Sequence, residues 1–247
     1  MVLVVVLVMV VALTIGLSLV ARTTTDIKIS RQQEESARAF SAAEAGIEEA
    51  LRAGVAAPMT LESGASYSTT VAEFGGSQFT FPDEISPGEA VTLWLNGHDG
   101  SGNLVETSPY GGSAFTVCWQ NGAIEVSIFY KQSGEYKVAR SAYDPDAISH
   151  NNNFDPPDGV DCLNLAHKKT INLPGGIPLF ARLKPYYGAT KIGVMASGTN
   201  NFPSQGKEIE STGTLGTITR KVKVFRSWPG PPAIFDFALF SGSNLTK

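Results

Sequence analysis

The chain has 247 residues, 43% of them hydrophobic and 17% charged, with a net charge of −4; that is an ordinary globular composition, long enough for one medium domain and an appendage. Neither part is basic: the first 56 residues hold five Lys or Arg against six Asp or Glu, and the remainder holds 14 against 17. This balance excludes avid contact with a phosphate backbone, so no nucleic-acid partner is expected.

The chain opens with MVLVVVLVMVVALTIGLSLVA, which carries no charge before Arg22 and is broken only by Thr14, Gly16 and Ser18. About 20 helical residues rise roughly 30 Å, the thickness of one bilayer core. A transmembrane helix is expected, with Val2, Leu7, Leu13, Leu17 and Val20 among its lipid-facing positions. A cleaved secretory signal is the competing reading, since Gly16-Leu17-Ser18 loosely fits a small-x-small site, but the basic n-region of such a signal is missing. The nearby positive charges, Arg22, Lys28, Arg31 and Arg38, all follow the span. Read literally, they would hold the C-terminal part in the cytoplasm. A short basic leader ahead of Met1 would reverse this, and the expectation is a single-pass protein of the inner or cytoplasmic membrane with its large domain outside.

No Pro or Gly interrupts Leu17 to Ala45, so the membrane helix is expected to run on as a polar rod. Arg31 with Glu35, Glu34 with Arg38 and Glu48 with Arg52 stand at helical spacing. From Ala37 a stripe of Phe40, Ile47 and Leu51, with Val55 beyond, predicts a face that packs on whatever follows. Gly54 and Pro58 should end the helix. The expected division is an assembly helix over residues 1–56 and a β-rich domain over 57–247.

The stretch SRQQEESARAFSAAEAGIEEAL, following a membrane span, resembles the N-terminal region of minor pilin-like proteins of type IV pilus assembly, of the PilX kind. The resemblance covers about Met1 to Leu51 and rests on Ala42, Ala43, Glu44, Ala45 and Gly46, flanked by Phe40, Ile47, Glu48 and Leu51. It implies a subunit that assembles through its N-terminal helix, with other pilin-like subunits, the assembly machinery and the membrane as partners, and a cell-surface filament as its destination. Position 5 is Val, where major pilins carry Glu, which fits a minor component better than a major one.

Beyond Val55 the pattern turns to period two. AVTLWLNGHDGSG predicts a strand and a Gly-rich turn. SAFTVCWQNGAIEVSIFY predicts a hairpin on an Asn121-Gly122 type I′ turn, with Phe115, Val117 and Trp119 on one face and Ile124, Val126 and Ile128 on a face of the partner strand. GEYKVARSAY continues as a third strand after Ser133-Gly134. TITRKVKVFRSW alternates Val222 and Val224 with Lys221 and Lys223, and GPPAIFDFALFSG supplies a last apolar segment. The expected fold class is α+β, a long N-terminal helix followed by an antiparallel β-sandwich-like domain. Cys118 and Cys162 could form one disulfide in an exported chain; two buried free thiols are the alternative.

No catalytic motif is present, the three His (His98, His150 and His167) lack metal-binding spacing and are expected in surface loops, and neither an enzyme nor a small-molecule substrate is expected. The loop holding Asp144, Asp146, Asp155, Asp158 and Asp161 offers hard oxygens that could bind calcium, although a plain solvated loop is the better reading. Otherwise no cofactor is expected. Trp94 and Trp119 read as core, and the Tyr186-Tyr187 pair as a contact patch. The alternative to a filament subunit is a membrane-anchored extracellular β-domain that binds a glycan or a surface partner.

Overall fold

The computed structural model describes residues 1–55 and 57–232. The elements run α1 (Val2–Ala53), β1 (Met59–Thr60), β2 (Ser66–Gly76), β3 (Gln78–Thr80), β4 (Val91–Trp94), β5 (Asn96–His98), β6 (Leu104–Pro109), β7 (Ala114–Trp119), β8 (Ala123–Gln132) and β9 (Glu135–Tyr143). There follow α2 (Ala147–His150), β10 (Gly159–Cys162), β11 (Leu165–Asn172), β12 (Ile177–Tyr186), β13 (Ile192–Ala196), β14 (Phe202–Leu215) and β15 (Ile218–Ser227). The fold is α+β, a long apolar N-terminal helix followed by antiparallel sheets. The last apolar segment expected from the sequence lies, from residue 233 on, outside the described residues.

The chain forms two compact units, and the division does not fall at residue 56. The first joins Met1–Ala72 with Glu208–Val224, so the helix shares a unit with strands from both ends of the β region. Its sheet runs β1-β2-β14-β15. The second comprises Glu73–Lys207 and the described residues from Phe225.

The second unit is a sandwich. One sheet runs β10-β11-β7-β13-β3 and the other β4-β12-β8-β9. Phe115, Val117, Trp119, Ile192 and Val194 of the first meet Ile124, Val126, Ile128, Ala181 and Leu183 of the second in one buried core. Trp94 and Trp119 are core residues, as their alternation predicts.

The Asn121-Gly122 hairpin is corrected. The strands on either side of it, β7 and β8, belong to opposite sheets, so the two apolar faces read from the sequence meet across the core instead of side by side. A type I′ turn needs positive φ at both central residues, and only Gly122 has it, at 63°. The connection is an arch tied to its surroundings: Gln120 N–H and Asn121 N–H both donate to Thr190 Oγ1 at 2.9 Å, and Trp119 Nε1 donates to Gly122 O at 2.8 Å. A Cβ at residue 122 would collide with Tyr186 O, so glycine is required there by contact as well as by conformation. The I′ signature sits at Ser133-Gly134, with φ of 54° and 88°, which closes β8 onto β9 with Gln132 opposite Glu135.

Candidate assembly helix and its seam with the sheet

α1 holds 52 residues without a break, roughly 80 Å at 1.5 Å per residue. Val2, Leu7, Leu13, Leu17 and Val20 are all exposed within the chain, and the helix is long and apolar enough to cross a membrane. Arg38 Nη2 donates to Glu34 Oε1 at 2.6 Å, one of the helical pairs expected in the rod. The helix closes at Gly54, whose φ of 79° lets its N–H reach Ala50 O at 2.8 Å.

The seam between helix and sheet is not the predicted one. Ile47 is buried, but Phe40 keeps 44% and Leu51 36% of its surface exposed, and Val55 is exposed as well. The buried residues are Ala39, Ala42, Ala43, Gly46, Ile47 and Ala50. Their mean direction lies about 90° around the helix from Phe40 and Leu51, close to the turn made by one residue. The reason is steric. Small side chains let the helix backbone come down onto the sheet, whereas Phe40 would hold it off, so the large residues stand at the flank.

Two glycines make the approach possible, one on each side. A Cβ at Gly46 would run into Ser211 Oγ, Thr69 Oγ1 and the Tyr67 ring. A Cβ at Gly213 of β14 would fall on the backbone of Ala39 and Ala43. Below the helix, Tyr67 on β2, Ile209 on β14 and Val222 and Val224 on β15 fill two small apolar clusters with Ala42, Ile47 and Ala50. Polar atoms in the seam are matched: Thr69 Oγ1 donates to Ser211 Oγ at 3.0 Å, the Tyr67 hydroxyl donates to Glu49, and Arg220 Nε donates to Ser36 Oγ at 2.8 Å. Glu49 raises the Tyr67 phenol, first by accepting its hydrogen bond. Of the motif that carries the family resemblance, Ala42, Ala43 and Gly46 lie in the seam, Ala45 is half-buried and Glu44 faces out. Gly213 was not legible as a contact residue, because a lone Gly between two Thr reads as loop.

The acidic loop does not assemble a calcium site. Asp144 has a fully buried side chain and accepts from Asp146 N–H at 2.8 Å and Asn152 Nδ2 at 2.5 Å, with His150 Nδ1 at 2.7 Å. Asp158 is committed to Lys169 Nζ and Thr170 N–H, both at 2.8 Å. Asp146, Asp155 and Asp161 do not join them: among the described residues no three acidic, His or Cys side chains converge as a metal site. The Asp144 and Asp158 oxygens are spent bracing the loop. The nearby Tyr pair divides: the Tyr186 hydroxyl donates to Glu125 Oε2 at 2.8 Å, and burial followed by that bond pushes it up to about 12, while Tyr187 is exposed and stacks on His150. Cys118 and Cys162 are joined in a disulfide with Cα atoms 5.6 Å apart.

His98 and His167 sit on strands, not in loops. His98 stacks on Trp228 and meets Trp94 edge-on, and its Nδ1 is buried with no partner among the described residues. Burial holds its imidazole below the usual value of 6.5, partly opposed by Asp99. Burial pushes Asp144 the other way, up, but its hydrogen bonds together outweigh this and hold its carboxyl below the usual range. The signs give two acid windows. Below pH 6.5 the unfolded chain takes the His98 proton first, so stability falls as pH drops toward the lowered folded value. Asp144 contributes stability above about pH 4 that is lost as pH falls through its lowered folded value. His98→Phe keeps a ring between the two Trp side chains and is expected to flatten the first window while leaving the second. Thermal melts between pH 7.5 and pH 3 check this; an unchanged slope below pH 6.5 in the variant would refute the assignment.

No protein-family model matches the chain, and no curated protein is significantly similar to it.

Proposed function

We propose that the chain is a pilin-like structural subunit, a minor component of a type IV pilus or related filament, with no catalytic role. The observation that carries the reading is the single helix α1, apolar and uncovered over its first half, then bound to its own sheet from Ala39 onward. A solvated chain cannot leave Val2 to Val20 in water, at about 25 cal/mol for each Å² of apolar surface exposed. A bilayer covers that surface before assembly, and neighbouring helices of the same kind cover it afterwards. The seam then decides how a pull on the helix reaches the β region. Its flank presents Ile29, Phe40 and Leu51 at eleven-residue spacing, three turns apart along nearly one line, where an adjacent subunit can pack.

The protein sits in the inner or cytoplasmic membrane with its β region outside until it is drawn into the filament. Single substitutions Val8→Cys, Ile15→Cys and Ile27→Cys test this, because the two native Cys are already bonded to each other. Crosslinks to other pilin-like subunits are expected in membrane and sheared-filament fractions. Their absence from both would leave the membrane-anchored β-domain, binding a glycan or surface partner, in its place.

A further inference from the structure

We propose that the exposed ring of Tyr187, with the carboxamides of Asn151 and Asn153 beside it, is a binding site for a neutral glycan. The backbone points there first. Tyr187 holds φ at 68°, a conformation open to glycine but an outlier for a bulky residue. Gly188 stands next along and is not the residue that takes it. Such a residue persists only where its surroundings hold it, and such residues gather at binding sites. Here the surroundings do hold it. His150 stacks on one face of the ring, with centroids 3.9 Å apart and planes 15° from parallel, and Asn152 Nδ2 donates to the Tyr187 hydroxyl at 3.2 Å. Both braces lead back to Asp144, whose buried carboxylate pairs with His150 Nδ1 at 2.7 Å and accepts from Asn152 Nδ2 at 2.5 Å. Packing into the core does not explain the arrangement, because Tyr187 keeps 53% of its surface exposed. With His150 on one face, that exposure falls on the other. The ring is a fixed aromatic platform with one open side.

Three consecutive Asn residues are arranged about it. Asn152 is turned inward: its Nδ2 serves Asp144 and Tyr187, and its Oδ1 accepts from Phe154 N–H at 2.9 Å. Asn151 and Asn153, with φ of 50° and 58°, stand exposed on either side of it. Among the described residues their carboxamides have no hydrogen-bond partner. Each offers two donors and an acceptor, which answer the hydroxyls of a sugar. The negative face of the tyrosine ring attracts the weakly positive C–H groups on the flat side of a sugar ring. Platform and amides together thus match a pyranose, apolar on its flat side and polar at its rim. Charge narrows the class. Asp146 and Asp155 are exposed, and no Lys or Arg occurs from Asp144 to Asp161, so an anionic sugar is disfavoured. Ile148, exposed on α2, is one apolar side chain, too little for the apolar centre of a protein interface. The site stands apart from filament assembly: a filament subunit and an anchored domain would carry it equally.

The test presents the full chain in detergent to an array of neutral oligosaccharides ending in glucose, galactose, mannose or N-acetylhexosamine, with sialylated forms as the anionic set. Binding within the neutral set is expected. Tyr187→Gly should weaken it about tenfold. The melting temperature should stay close to that of the wild type, because relief of the left-handed strain offsets the lost stack on His150. Tyr187→Phe, which keeps the ring and drops the bond from Asn152, should retain most of the binding. Asn151→Gly with Asn153→Gly keeps both left-handed residues, removes only the amides and should also weaken binding. A chain that binds none of the neutral set overturns the proposal. So does a preference for the sialylated set, and so does binding that survives either Tyr187→Gly or the loss of both amides.

Discussion

Gly213→Ala is expected to destabilise the helix-bearing unit by about 3 kcal/mol, the top of the range for overpacking. The added methyl group would fall on Ala39 O and Ala43 N, and both belong to the backbone of α1. A side chain can rotate away from a clash; a helix backbone can only lift. Lifting it would loosen Ala42, Ile47 and Ala50 from the sheet together. Gly213 has no positive φ, so Ala gains some backbone stability there and the clash alone sets the sign. Gly46→Ala makes the comparison. Its methyl group meets Ser211 Oγ, Thr69 Oγ1 and the Tyr67 ring, which can move, and Ala gains about 1 kcal/mol over Gly within a helix. A net loss of about 1 kcal/mol is expected. Amide exchange reads both: protection should fall over Ala39 to Ala53 and along Ile209 to Gly213. Tryptophan emission should hold steady, because Trp94, Trp119 and Trp228 all lie in the other unit. Wild-type exchange in Gly213→Ala would mean that the helix does not lie this close to β14.

The contrast between these glycines says what the sequence could reveal. Apolar runs and period-two alternation are local, so α1, its end at Gly54, the core positions on β7 and β8 and the Lys-Val alternation of β15 were all legible. Contacts decided far along the chain were not. The Asn121-Gly122 pair has the composition of a tight turn, yet Thr190, 69 residues on, takes Asn121 N–H and holds the chain as an arch. Nothing local to Asn121 reports Thr190. The seam was misjudged for a related reason. Hydrophobic patterning weights Phe40 and Leu51 by size, whereas a helix lying on a sheet is limited by how near the backbones can come, and Ala39, Gly46 and Ala50 set that distance. The five Asp residues show the same limit. Density in sequence left a cation possible beside the preferred plain loop, but Asp144 and Asp158 answer to separate neighbours, Asp144 to His150 and Asn152 and Asp158 to Lys169.

Removing the disulfide should cost the sandwich about as much. Cys118 and Cys162 are 44 residues apart, and opening a loop of that length frees about 4 kcal/mol of chain entropy in the unfolded state. Cys118→Ala with Cys162→Ala is the cleaner route, since Ser would bury a hydroxyl beside Leu165 and Met195. At this size the melting temperature should fall by about 10 °C. The loss has a direction. The bond ties β7, inside its sheet, to the four-residue edge strand β10, with β11 between them. Around β10, Asp161, Leu163 and Asn164 all hold positive φ, which for Leu is costly. Without the tether β10 has only its short pairing with β11 to keep that backbone in place. Exchange should therefore rise first at Gly159 to Leu165 and only later in the core around Trp119, while the seam at Ala39 to Ala50 keeps its protection. A double variant melting within about 2 °C of wild type would show that the pairing alone holds the edge. The same loss is expected when the chain is made in a reducing cytoplasm and regained on export. The bond thereby ties the stability of the β region to the side of the membrane on which the proposed function places it.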